Sequence, residues 1–193
     1  MKSAASYSNQ RVGIFVDVQN LYHSAKNLYH GRVNYGELIK YLVGNRQLIR
    51  SLAYVVKSEG IEPQHADGAR PFRSRISGGQ TAPISSEAAF FEALTKAGLE
   101  LRVKDLQIYA GGMKKADWDV GMAVDAIRMS SFLDVVILVT GDGDFLPLVD
   151  FLKWGVGRLV EVAAFRRSAS AKLQEAADKF INIEEIPRII IKK

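Results

Sequence analysis

Residues 134–145 read DVVILVTGDGDF. From Val135 to Val139 the run is apolar, mostly β-branched and bounded by polar residues, the pattern of a short buried strand. Where that strand should stop, Asp142 and Asp144 stand among glycines. One reading is a glycine turn entering a helix, with an aspartate as N-cap. That accounts for one carboxylate. Two carboxylates this close at the end of a buried strand repel each other, and a bound cation removes the repulsion. Hard divalent ions such as Mg²⁺ and Mn²⁺ prefer carboxylate and water oxygens. The glycines let the backbone approach such an ion closely, and Thr140 adds a hydroxyl at the same strand end.

Working outward, RVGIFVDV at 11–18 is a second buried-strand pattern, with Asp17 at its carboxyl end and Asn20 opening the helix NLYHSAKNLY. Each of these two residues alone reads most simply as a helix cap. NYGELIKYLVGN at 34–45 predicts a helix capped by Asn34, with Glu37 in the capping-box position. LIRSLAYVVK at 48–57 is a further strand, SEAAFFEALTKAG at 86–98 a helix, and LELRVKDLQIYAGGM at 99–113 strand-like with a turn at Gly111–Gly112. ADWDVGMAVDAIRMSS at 116–131 and DFLPLVDFLKWG at 144–155 predict helices; RLVEVAAF at 158–165 is a strand. SASAKLQEAADKF at 168–180 predicts a helix, and INIEEI at 181–186 an edge strand. Strands alternating with helices imply parallel β-α-β units and an α/β class fold: a three-layer α/β/α sandwich with a mostly parallel central sheet. Ligands bind such sheets beyond the carboxyl ends of the strands, where strand order reverses. The expected organisation is a flexible tail at 1–10, a single domain at 11–187 and a C-terminal tail at 188–193. Within the domain, residues 58–85 lose periodicity and gain Gly, Pro and Arg, which predicts a long mobile loop.

At 193 residues, with 48% hydrophobic and 24% charged residues, the chain has enough material for one sizeable core. No apolar run reaches the roughly 20 residues needed to span a bilayer. The first ten residues lack an apolar signal-peptide core, and cysteine is absent, so a cytoplasmic location is the expectation. The net charge is +5 and the isoelectric point about 9.4. A basic balance permits a nucleic-acid partner through phosphate contacts without demanding one. It also makes clustered carboxylates conspicuous.

KKADWDVGMAVDAIR at 114–128 supplies further acids. Asp117 and Asp119 in a first helical turn are favoured by the helix dipole. Asp119 and Asp125 are six apart, so at roughly 100° per residue they diverge by about 120° and cannot both aim at one ion. Asp119 is therefore the site candidate, and Asp125 a supporting or ion-paired residue. Several basic residues are candidates for contacting a nucleic-acid phosphate backbone: Lys114 and Lys115 before the acidic helix, Arg166 and Arg167 beyond a strand end, and Arg73 and Arg75 in the loop ARPFRSR. Solvated turns explain the same charges. His23, His30 and His65 show no ligand spacing. His23 lies one helical turn past Asn20. The aromatics of AAFFEAL and FLPLVDFLKW have helical spacing and read as core.

The stretches FVDVQNL, KKADWDVGMAVDA, VTGDGDFLPLVDFLKWG and LQEAADKFINI, in this order from about Arg11 to Ile186, closely resemble the NYN-domain proteins. These are PIN-like nucleases, and the resemblance is nearest to their LabA-like bacterial branch. It implies a PIN-like fold and a Mg²⁺- or Mn²⁺-dependent ribonuclease that hydrolyses RNA, single-stranded by expectation, with metal-activated water as nucleophile. By position it implies Asp17, Asp119, Asp142 and Asp144 as metal-binding acids, with Asn20, Asp125 and Thr140 in support. The alternative is an RNA-binding or regulatory protein that keeps the fold without turnover. A phosphatase of the haloacid-dehalogenase type would want an acid two residues after Asp17, where Gln19 stands. A homodimer is compatible with the sequence, and no motif fixes it.

Overall fold

The computed structural model describes residues 8–57, 86–105, 107–108, 114–115 and 117–192. The elements run β1 (Arg11–Asp17), α1 (Val18–Tyr29), β2 (Gly31–Val33), α2 (Tyr35–Val43), β3 (Gln47–Lys57), α3 (Ser86–Lys96), β4 (Glu100–Asp105), β5 (Gln107–Ile108) and β6 (Lys114–Lys115). They continue with α4 (Asp119–Met129), β7 (Val135–Val139), α5 (Leu146–Asp150), β8 (Leu159–Ala164), α6 (Ala171–Ala176), β9 (Lys179–Asn182) and β10 (Ile190–Lys192). Six strands form one parallel sheet in the order β4-β3-β1-β7-β8-β9.

Period-two alternation puts apolar residues on both faces of this sheet. Val12, Ile14 and Val16 of β1, with Val135, Ile137 and Val139 of β7, pack into one cluster with residues of α1, α2 and α3. Phe15, Val136 and Leu138 face the other way, into a cluster with residues of α4, α5 and α6. The result is a three-layer α/β/α sandwich. The strand order reverses between β1 and β7. From β1 the chain builds toward β4 on one side, and from β7 toward β9 on the other. The two strands that ended in aspartates are neighbours at this switch point, as the sequence reading required.

Several elements differ from their sequence expectation. The helix expected at 144–155 is a 3₁₀ turn at Gly143–Phe145, the α-helix α5 and a π-helical turn at Phe151–Gly155. Pro147 occupies the first turn of α5, where no backbone donor is needed. The wide turn closes when Val156 N–H reaches Phe151 O at 3.0 Å. The helix expected at 168–180 stops at Ala176. Asp178 pairs with β8 instead: its backbone N–H donates to Val160 O at 2.9 Å, and its carboxylate accepts Val160 N–H at 2.8 Å. These long-range bonds override local helix propensity and begin β9 earlier than INIEEI suggested; Ile183–Glu185 is a 3₁₀ turn. Two short antiparallel pairs stand apart from the main sheet. β2 and β10 pair antiparallel, so residues 190–192 of the stretch read as a tail are strand. β5 and β6 form a second antiparallel pair. The expected Gly111–Gly112 turn, the 58–85 loop and Arg73 and Arg75 lie outside the described residues. Among the described residues, no helix is long and apolar enough to cross a membrane.

Candidate metal centre and cleft

The register of β1 and β7 sets the site. Val16 lies opposite Val139, so one residue further along Asp17 comes beside Thr140. The fully buried Thr140 hydroxyl donates to Asp17 Oδ2 at 3.1 Å. It also accepts the N–H of Asp142 at 3.2 Å. Asp17 Oδ1 accepts Asn20 N–H at 3.0 Å, as the N-cap of α1. Asn20 Oδ1 in turn accepts Gly141 N–H at 3.0 Å, which ties the start of α1 to the loop after β7. That loop is held from its other side as well. A Cβ at Gly141 would lie 3.0 Å from Ala169 Cα and 3.1 Å from Ser168 O, both backbone atoms, so only glycine fits without displacing the 166–170 turn.

Asp142 caps the next turn, its Oδ1 accepting Asp144 N–H at 3.0 Å. The cap reading and the cluster reading are thus both true of this residue. Asp119 arrives from across the cleft as the first residue of α4. Asp119, Asp142 and Asp144 each offer a carboxylate oxygen, and these oxygens all lie within 4.8 Å of one another. Asp17 lines the same cleft as Asp119 and Asp142 but stands outside this trio. The packed charge shows in the acid strengths. Burial, then the neighbouring charges of Asp17, Asp142, Asp117 and Asp144, push Asp119 up to about 6. Burial pushes Asp17 up as well, partly offset by its bonds from Asn20 N–H and Thr140.

Asp125 is elsewhere. It accepts the Tyr54 hydroxyl at 3.1 Å and pairs with Arg102 Nε at 3.3 Å, consistent with its divergence from Asp119 along α4. Its influence on the cleft passes through Tyr54, which lines it. Arg166 and Arg167 stand beyond β8. Arg166 reaches Gln174 Oε1 at 3.3 Å and lies 5.1 Å from the Phe180 ring centroid. Arg167 lies 3.7 Å from Glu184 and 5.5 Å from the Tyr29 ring centroid. Both are held by the protein's own groups. Lys114 and Lys115 form β6.

The sequence reading missed three residues that line the cleft: Gln19, Tyr54 and Trp118. The signal for Tyr54 lay in register, since it sits opposite Asp17 across β1 and β3. Gln19 and Trp118 stood inside quoted motifs beside the acids and were passed over as neutral. His23, one helical turn past Asn20 and more simply read as a surface or packing residue, also lines the cleft.

Residues 11–184 match the NYN domain. The chain belongs to the NYN domain family. NYN domains are PIN-like, and the family generally comprises nucleases. A crystal structure of a protein of unknown function from Vibrio parahaemolyticus is similar along its whole length: TM-score 0.76 and 26% identity, covering 97% of this chain and 100% of that one. A PLP-bound aminotransferase structure from Clostridium difficile reaches a TM-score of only 0.22 at 10% identity, covering 76% of this chain and 34% of that one, and supports no argument. No curated protein matches the chain.

Proposed function

We propose that this NYN domain, of the LabA-like bacterial branch, is a ribonuclease that hydrolyses single-stranded RNA with a bound Mg²⁺ or Mn²⁺. The observation that carries the reading is the convergence of Asp119, Asp142 and Asp144 at the switch point of the sheet. The donor set fits a hard divalent ion: every ligand atom is a carboxylate oxygen, contributed by two segments far apart in sequence. None of Asp17, Asp119, Asp142 and Asp144 is ion-paired to a lysine or arginine among the described residues. A bound ion supplies activation of water and neutralisation of charge on the phosphodiester.

The chain's own part is to hold the oxygens ready. Thr140 and Asn20 fix the β7 loop against β1, so that Asp142 and Asp144 face Asp119 without rearrangement. Asp17, held by its hydrogen bonds from Asn20 N–H and Thr140, completes the acidic wall. Lys114, Lys115, Arg166 and Arg167 are the proposed contacts for flanking phosphates, with Arg73 and Arg75 from the 58–85 segment. The test is labelled RNA incubated with purified protein and Mn²⁺, beside Asp142→Asn. Cleavage should fall by roughly a thousandfold in the variant. Equal cleavage by both would assign the activity to a contaminant. Binding without cleavage by either would favour the non-catalytic RNA-binding alternative.

A further inference from the structure

The cleft extends past the acids, and its remaining walls are chemically different. It measures about 230 Å³, below the size of a pocket for a drug-sized ligand and suited to a single ring system. Among the described residues, its lining contains no lysine or arginine. Beyond the carboxylates and Asn20, which is engaged with Gly141, it presents Trp118, Tyr54 and the polar side chains of Gln19 and His23, spaced one helical turn apart on α1. Gln19 and His23 are exposed, and among the described residues neither side chain has a hydrogen-bond partner. Such a wall repels a phosphate and accepts a flat, neutral group with hydrogen-bonding edges.

Trp118 is held in one orientation at this wall. Its indole N–H donates to Val55 O at 2.8 Å. Its ring meets Tyr54 edge-on, with centroids 5.4 Å apart at 61°. The Tyr54 hydroxyl is anchored in turn on Asp125 at 3.1 Å. Gly121 completes the arrangement, because a Cβ there would lie 2.5 Å from Trp118 Cε3. The ring occupies the space that any other residue at 121 would fill. Lys104 Nζ, 5.8 Å from the indole centroid, places a cation beside the ring. A pre-fixed aromatic loses little freedom when a partner stacks on it.

We propose that Trp118, with Gln19 and His23, forms a subsite for one unpaired nucleobase next to the acid trio. The substrate class rests on the ribonuclease reading above. The base stacks on the indole, Gln19 and His23 meet its edge, and the attached phosphate lies toward Asp119 and Asp142. A paired base cannot enter without leaving its helix, so the subsite selects single strands.

The sequence contains two tryptophans, Trp118 and the exposed Trp154. In a Trp154→Phe, Asp142→Asn protein, Trp118 is the sole indole reporter and the RNA is not consumed. Titration with short single-stranded homopolymeric RNA in Mg²⁺ should quench its emission saturably, and blunt duplex RNA should not. Gln19→Ala and His23→Ala should each flatten the preference among homopolymers. Gly121→Ala should weaken single-strand binding about tenfold by displacing the ring. Fluorescence anisotropy of labelled RNA follows binding separately. RNA that binds without quenching Trp118, equal quenching by duplex, or no binding at all would each overturn the subsite. Quenching in a protein whose wild type never cleaves would keep the subsite and remove the nuclease reading. Cleavage by wild type without quenching would do the reverse.

Discussion

Strands β1 and β7 lie side by side and carry acids at both ends of their pairing. At the amino ends, Asp134 receives Arg11 three times: from its backbone N–H at 2.8 Å, from Nε at 3.1 Å and from Nη2 at 2.9 Å. Those bonds pull Asp134 down to about 2. At the carboxyl ends, Asp142 and Asp144 meet Asp119 beside Asp17, with no arginine or lysine ion pair among the described residues, and Asp119 is pushed up to about 6. Arg46, just before β3, repeats the first pattern in a buried setting, gripping Glu161 of β8 at 2.8 and 3.1 Å. Acids are neutralised at the amino ends of these central strands and crowded at the carboxyl ends of β1 and β7. The crowding costs stability, so it marks the end where a ligand cation would supply the missing charge.

The severest way to break the contrast is to strand an acid on the paired side. Arg46→Met leaves Glu161 buried and uncompensated, with side chains that were only 5% and 8% exposed. The expected loss is about 3–5 kcal/mol in urea denaturation, with cleavage per folded molecule unchanged. A loss below about 1 kcal/mol would mean that water or a rearranged side chain satisfies Glu161, and that pairing is not what holds this side.

A smaller effect of opposite sign is expected on the crowded side. In metal-free protein at neutral pH, Asp119→Asn removes one repelled charge and should stabilise by roughly 1 kcal/mol, a value discounted for solvent screening. The sign follows from the raised acid strength. Asp119 binds its proton more tightly folded, near 6, than free, near 3.8. Its contribution is therefore full below about 3.8 and is lost as pH rises through about 6. The variant's advantage should appear across that window and vanish beneath it. Adding Mn²⁺ should reverse the order, because an ion that binds the folded wild type raises its stability by mass action while the variant lacks a ligand. A destabilised variant in chelator would remove the idea that these acids repel.

How much of this was legible beforehand follows from what each signal depends on. Continuous apolar runs expose strands buried on both faces, so β1, β3, β7 and β8 and the sandwich could be read directly. The aspartates at strand ends could be read too, because their positions follow from where those runs stop. Elements fixed by distant partners could not. β2 and β10 exist because each pairs with the other across most of the chain, and α6 ends early because Asp178 bonds to Val160. The same limit applied to the site. Thr140 and Asn20 were implied as supports by the family resemblance, but their bonds to Asp17 and Gly141 depend on register. Asp125 could be turned away from the ion by helical geometry alone, whereas its partners Tyr54 and Arg102 required the fold.

The gentlest probe of the contrast is Asp134→Asn. Asp134 is held near 2 when folded against 3.8 when free, the opposite displacement from Asp119. Its contribution is present above about 3.8 and is lost as pH falls through about 2, so wild type and variant should converge in strong acid. Above that window the variant should be slightly less stable, by less than either change described before, because the pair is 45% and 35% exposed and water screens it. Raising the salt concentration should shrink the difference further if the charge pair carries it. The bond from Arg11 N–H to Asp134 Oδ2 joins the first residue of β1 to the residue before β7 and does not depend on the guanidinium. A salt-insensitive loss would therefore move the stabilising role from the ion pair to that backbone bond. It would show that the amino end is held by strand pairing as much as by charge.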